Sequence, residues 1–65
     1  MAQVSLNFQG VDNADQVNRI TTALMMMDGV ESAEVGRHGA EVDGKVPRQA
    51  LIETIQSLGL DIEVN

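Results

Sequence analysis

The chain has no cysteine, no tryptophan and no tyrosine, one phenylalanine and one proline in 65 residues. Without cysteine there is neither a disulfide nor a thiolate metal site, and the redox state of its compartment leaves no trace in the sequence. With Phe8 as the one aromatic, the core must be aliphatic. Basic residues are also scarce: four Lys and Arg face ten Asp and Glu, a formal charge of −6. That balance disfavours nucleic acid and anionic membrane surfaces and suits a basic protein or a divalent cation. No apolar run approaches the roughly 18 residues of a membrane span, and no basic start precedes an apolar signal core. Sixty-five residues are expected to form one domain, 1–65, near the lower size limit for a self-sufficient core.

The apolar residues, 43% of the chain, fall into two strand–helix halves. Val4, Leu6 and Phe8 alternate with Ser5, Asn7 and Gln9, which predicts a half-buried strand over 2–9. Val17, Ile20, Leu24 and Met27 form a helical stripe within 13–27, and Gly29 follows as its C-terminal cap region. Residues 30–35 read as a second strand, Gly36–Gly39 as a turn, and 40–43 as a short third strand. Pro47 suits the first turn of a second helix whose inner stripe is Leu51, Ile55 and Leu58. Leu60, Ile62 and Val64 alternate with Asp61 and Glu63 as a closing strand.

The order β-α-β-β-α-β predicts an α+β, ferredoxin-like sandwich: a four-stranded antiparallel sheet with two helices on one face. Strands 2 and 4 become its edges. One end then carries the 10–16 loop, the Arg37-His38 turn and the Gly59-Leu60 loop. The other carries Asp28-Gly29, Gly44–Val46 and both termini.

The stretch Gly10-Val11-Asp12-Asn13-Ala14-Asp15-Gln16, between the first strand and the first helix, is the most informative segment. Together with Leu24–Val35 and Leu51–Ile55 with Leu58-Gly59, it resembles the heavy-metal-associated domain family. That family comprises small copper and zinc carriers and the N-terminal modules of metal-pumping ATPases. The resemblance spans nearly the whole chain. In the family this loop usually reads Gly-Met-x-Cys-x-x-Cys, and the two thiolates grip the metal. Here Gly10 is kept, Val11 stands at the Met position, and Asn13 and Gln16 stand at the cysteine positions. Leu60 replaces the aromatic or lysine residue often found there, and the Gly36–Gly39 hairpin is shorter than usual. The resemblance thus implies the scaffold, while the missing thiolates speak against copper(I), silver and mercury, since soft metals select sulfur.

Asn13 with Gln16 three positions on also matches a helix capping box. The Asn side chain would accept from a free helix amide and the Gln side chain would reach back, with Asp12 as an alternative cap one residue earlier. Asp15 in the first turn favours the positive end of the helix dipole. A metal reading of the same residues is available. Asp12, Asn13 and Asp15 supply oxygen, and His38 lies in a turn at the same end. Zn²⁺, Ni²⁺ or Co²⁺ could use such ligands, whereas Ca²⁺ would want more oxygen and no imidazole. Met25-Met26-Met27 offers thioethers. The run lies at the far end of the helix, on the order of 20 Å from the loop at 1.5 Å per residue. Met27 continues the core stripe, and Met25 and Met26 face away from it.

No nucleophile–base set and no phosphate-binding glycine loop is present, so an enzyme is not expected. Two readings from different classes remain. One is a cysteine-less relative of the metal carriers, acting as a protein-interaction or regulatory module in metal transport with no resident cofactor beyond a weak divalent cation. The other is a carrier of Zn, Ni or Co on Asp, Asn and His ligands. The resemblance implies a cytoplasmic module that docks a basic protein or a metal-transporting ATPase through Val11, Asp12, Asp15 and Leu60. No contact with nucleic acid or insertion into a membrane is expected.

Overall fold

The computed structural model describes residues 3–65. Its elements are β1 (Gln3–Gln9), α1 (Ala14–Met25), β2 (Val30–Val35), β3 (Gly39–Gly44), α2 (Arg48–Gln56) and β4 (Glu63–Val64). The four strands form a sheet in the order β2-β3-β1-β4, with every neighbouring pair antiparallel. This is the expected ferredoxin-like arrangement, with β2 and β4 at the edges.

Register follows from alternation. β1 pairs with β3 so that Leu6 faces Ala40 and Val4 faces Val42, and Phe8 pairs with Val64 of β4. Leu6, Phe8, Ala40, Val42 and Val64 are buried on one side of the sheet. Ile20 and Leu24 of α1 and Leu51, Ile52 and Ile55 of α2 close over that side. Ile20, Leu24, Leu51 and Ile55, all read from the sequence, are completely inaccessible; Ile52, outside the expected stripe, is buried beside them, while Val17, Met27 and Leu58 are only half-buried against the core. One aromatic ring suffices because both helices supply branched aliphatics at helical spacing. Among the described residues no polar side chain is buried. Apolar packing therefore carries the stability of the fold.

Ala2, expected in the first strand, lies outside the described residues. Elsewhere Asn13 caps α1 from just outside it, β3 runs Gly39–Gly44, one residue longer at each end than 40–43, and other boundaries differ as follows. Helix α1 ends at Met25, two residues early. The Met26 amide still reaches the Thr22 carbonyl at 3.1 Å, but the Met27 amide bonds Leu24 at 3.2 Å, a tighter turn. Gly29, at φ +94°, then turns the chain into β2. Met27 is half-buried against the core, while Met25 and Met26 are 49% and 79% exposed. Pro47 stands one position before α2, as its N-cap residue in extended conformation, and not inside the first turn. α2 in turn stops at Gln56 and leaves Leu58 half-buried beyond it. The closing strand is shortest of all. Residues 60–62 are not strand, because the Ile62 amide bonds back to the Leu60 carbonyl at 2.9 Å in a three-residue turn. Pairing resumes at Glu63, and Asn65 exchanges two backbone hydrogen bonds with Asn7, both 2.9 Å. No helix among the described residues is long and apolar enough to cross a membrane.

Candidate functional site: the loop before helix α1

Gly10 ends β1 with φ +98°, a backbone conformation that side chains disfavour. A Cβ built there would stand 3.0 Å from the Asp61 carbonyl oxygen. The loop therefore lies against the connection between α2 and β4, and glycine is what permits the approach. Val11 is next, buried in the core cluster at 8% exposure. It anchors the loop from below, while Asp12 and Asn13 stay exposed above it. Leu60 and Ile62, half-buried, pack against the same cluster from the other side.

Asn13 is the N-cap of α1, with extended dihedrals of φ −144° and ψ 167°. Its Oδ1 accepts from the Gln16 amide at 3.0 Å. The Gln16 side chain returns the contact. Its Oε1 accepts from the Asn13 amide at 3.3 Å and from the Asp12 amide at 2.6 Å. The capping box expected from the sequence is complete, and it extends one residue further back than expected. A helix start leaves four amides without intrahelical partners. Here two side-chain oxygens satisfy the Gln16 amide and the two amides just ahead of the helix. Asp12 is excluded as the cap: its amide is held, and the cap position is one residue later.

Asp15 occupies the first turn, where the helix dipole favours an anion. Its Oδ2 pairs with Arg19 Nε at 3.0 Å, one turn along the helix, both side chains being mostly solvated. At that exposure the pair adds little to stability. His38 is exposed in the β2–β3 turn, and its carbonyl accepts from the Phe8 amide at 2.8 Å, which ties the turn to the end of β1. The residues read as hard-metal ligands thus share one end of the molecule by topology. Asn13 has its side-chain oxygen committed to the helix, and Asp15 has a cationic partner. Among the described residues no three of His, Asp and Glu are gathered closely enough to hold a metal ion.

Solved structures similar to this chain are metal-handling domains. A copper-binding domain from a P-type ATPase matches with a TM-score of 0.87 and 26% identity over 100% of this chain and 95% of that one. The CopZ metallochaperone matches with a TM-score of 0.87 and 25% identity over 98% and 100%. The apo copper chaperone of Enterococcus hirae follows at 0.80 and 26%, again over 98% and 100%. This is a heavy-metal-associated domain fold. No protein-family model matches the chain, and neither does any curated protein. The fold matches that of these metal-handling domains, and this chain has no cysteine.

Sequence reasoning missed two contributors to the loop. The Asp12 amide is a third partner of the capping box. Its signal was a Gln whose side chain can accept two amides at once. The three-residue turn at Leu60–Ile62, which brings Asp61 beneath Gly10, was hidden inside an alternating apolar pattern that reads as strand.

Proposed function

We propose that this chain is a cysteine-less relative of the heavy-metal carrier domains. It works as a protein-interaction or regulatory module in metal homeostasis, not as a thiolate carrier. The observation that supports it is the reciprocal bonding of Asn13 and Gln16. The two positions at which the family places its metal ligands hold amide side chains, and each spends its oxygen on backbone amides at the helix start. Amide oxygens are poor ligands for soft metals in any case.

The partner on this reading is a basic protein or a metal-transporting ATPase in the cytoplasm, as the copper-binding ATPase domain among the similar structures suggests. The domain docks through the loop-bearing end, around Val11, Asp12, Asp15 and Leu60, and catalyses no reaction. Asp12 and Asp15 are exposed there, next to the half-buried Leu60. An acidic rim around a small apolar centre speeds encounter with a basic surface, and such docking weakens steeply as salt rises. Met25 and Met26 lie at the opposite end, so replacing both with Gln leaves it intact.

The test is a titration followed by amide chemical shifts. Addition of one equivalent of Zn²⁺, Ni²⁺ or Co²⁺ is expected to leave Asp12–Gln16 and His38 unmoved, and a Cu(I) chelator is expected to strip copper completely. Stoichiometric shifts at Asp12, Asn13, Asp15 and His38 would replace the docking reading with a divalent-metal carrier. Copper retained against the chelator would overturn the assignment of Asn13 and Gln16 to the ligand positions.

A further inference from the structure

The free edge of the sheet at β2 offers a second surface, independent of what the loop end binds. β2 pairs with β3 on one side only. The hairpin joining them is closed by the Gly36 amide bonding the Gly39 carbonyl at 2.8 Å. Counting back from there along an antiparallel ladder, Glu34 pairs with Glu41, and Ser32 with Asp43, at hydrogen-bonded positions. The amides and carbonyls of Ala33 and Val35 therefore point away from β3, along an edge that no other element covers.

The chemistry beside that edge is one-sided. The sheet face opposite the helices presents Ser5 and Asn7 of β1, Glu34 of β2, Glu41 and Asp43 of β3 and Glu63 of β4. Among the described residues no Lys or Arg occupies a strand position on it. Glu34 and Glu41 lie directly across from one another, and like charges so placed repel. The Gln3 amide group reaches Glu41 at 3.3 Å and the Ser32 hydroxyl reaches Asp43 at 3.0 Å, but neither brings positive charge. Among the described residues the one ion pair is Arg19–Asp15, on the helix side. A shallow recess of about 560 Å³ opens on this face beside the edge, between Glu34, Glu41, Asn7, His38 and the bare backbone of Gly36 and Gly39.

We propose that the β2 edge receives a β-strand from a partner protein that carries Lys or Arg at alternate positions. Main-chain bonds form to Ala33 and Val35, the pattern of strand addition. Residues opposite Ser32 and Glu34 then lie on the acidic face, within about 4.5–5.5 Å at Cβ of their neighbours. A cation opposite Glu34 enters the recess and relieves the Glu34–Glu41 repulsion. A second copy of this chain is the wrong occupant. Edge-to-edge pairing of two β2 strands would set two acidic faces side by side, one of the ways natural sheets avoid self-association. The β4 edge cannot substitute, being two residues long.

The probe is a blocked seven-residue peptide of alternating Lys and Thr, with a same-composition peptide of shuffled order and an N-methylated version as controls. The readout is hydrogen exchange and chemical shift at single amides. The alternating peptide is expected to slow exchange of Ala33 and Val35 at least tenfold, and the shuffled and N-methylated peptides are not. Glu34→Lys is expected to weaken binding at least tenfold, whereas Glu53→Lys on the helix side is not. Three outcomes would overturn the proposal. They are no protection of these two amides at millimolar peptide, equal loss in both charge variants, and protection that appears without peptide as protein concentration rises.

Discussion

Replacing Asn13 with Ala tests the central structural claim, that the family's first ligand position is here a helix cap. The substitution removes the acceptor held 3.0 Å from the Gln16 amide and leaves that amide to water. Loss of an N-cap of this kind costs about 1 kcal/mol, within a span of about 0.5–2 kcal/mol. For a chain of 65 residues, unfolding entropy of about 2.1 cal/mol/K per residue comes to about 0.14 kcal/mol/K, so melting is expected to fall by about 7 °C. Thermal circular dichroism at low protein concentration reads this directly. Asn13→Ser keeps an oxygen at the cap and is expected to recover most of the loss. Gln16→Ala removes the acceptor for the Asp12 and Asn13 amides, and the double variant is expected to cost less than the two singles combined, because the contacts are reciprocal. If Asn13→Ala melts with the parent while Asp12→Ala melts several degrees lower, the cap is misassigned, and with it the alignment of Asn13 with the first cysteine.

Three further outcomes are expected. Gly10→Ala forces a side chain into a conformation at φ +98° and against the Asp61 carbonyl; denaturant titration should show a loss of about 1–3 kcal/mol, and an unchanged midpoint would refute the close approach. Leu24→Ala empties a fully buried site between α1 and the sheet and should cost about 2–5 kcal/mol, enough to leave so small a domain largely unfolded, as near-absent amide protection would report. Asn13→Cys with Gln16→Cys should bring stoichiometric Cu(I) retention against a strong chelator; a folded double variant without that affinity would show that these positions are not the family's ligand pair.

Much of the fold was legible because two periodicities do not overlap. Val4, Leu6 and Phe8 cannot all share a helix face, and Val17 and Ile20, three apart, cannot share a strand face, so each element declared its type. Glycines marked where the elements end. The capping box was readable too, because Asn and Gln three apart have few better uses at a helix start. The failures were local. The pattern Leu60, Ile62, Val64 is good strand spacing, yet a bond from the Ile62 amide to the Leu60 carbonyl ends pairing there. Pattern reports which face a residue prefers, not which amide its neighbour takes. The set Asp12, Asn13, Asp15 and His38 is not one of those failures: it rests on residue type and a shared end of the fold, and the metal titration decides it. The contact from Asp15 to Arg19 is invisible until the helix is built.

On the proposed reading, the same local physics lets this loop forgo thiolate chemistry and keep its shape. A helix N-terminus offers unpaired amides and a positive dipole end. In a carrier those features favour thiolates, because an anion beside them has a lowered proton affinity. Asn13 and Gln16 answer the same amides with neutral oxygens, and Asp15 supplies the anion one position inside the helix. Gly10 and Val11 meanwhile hold the loop in place through the Asp61 approach and the core, contacts that need no metal. Position and ligand are thus separable. On that reading the backbone of the loop is set by packing from below, and its ligand by the side chains at positions 13 and 16. That separation is why two cysteines alone should restore soft-metal binding, with the lost capping box felt as lower stability of the metal-free form.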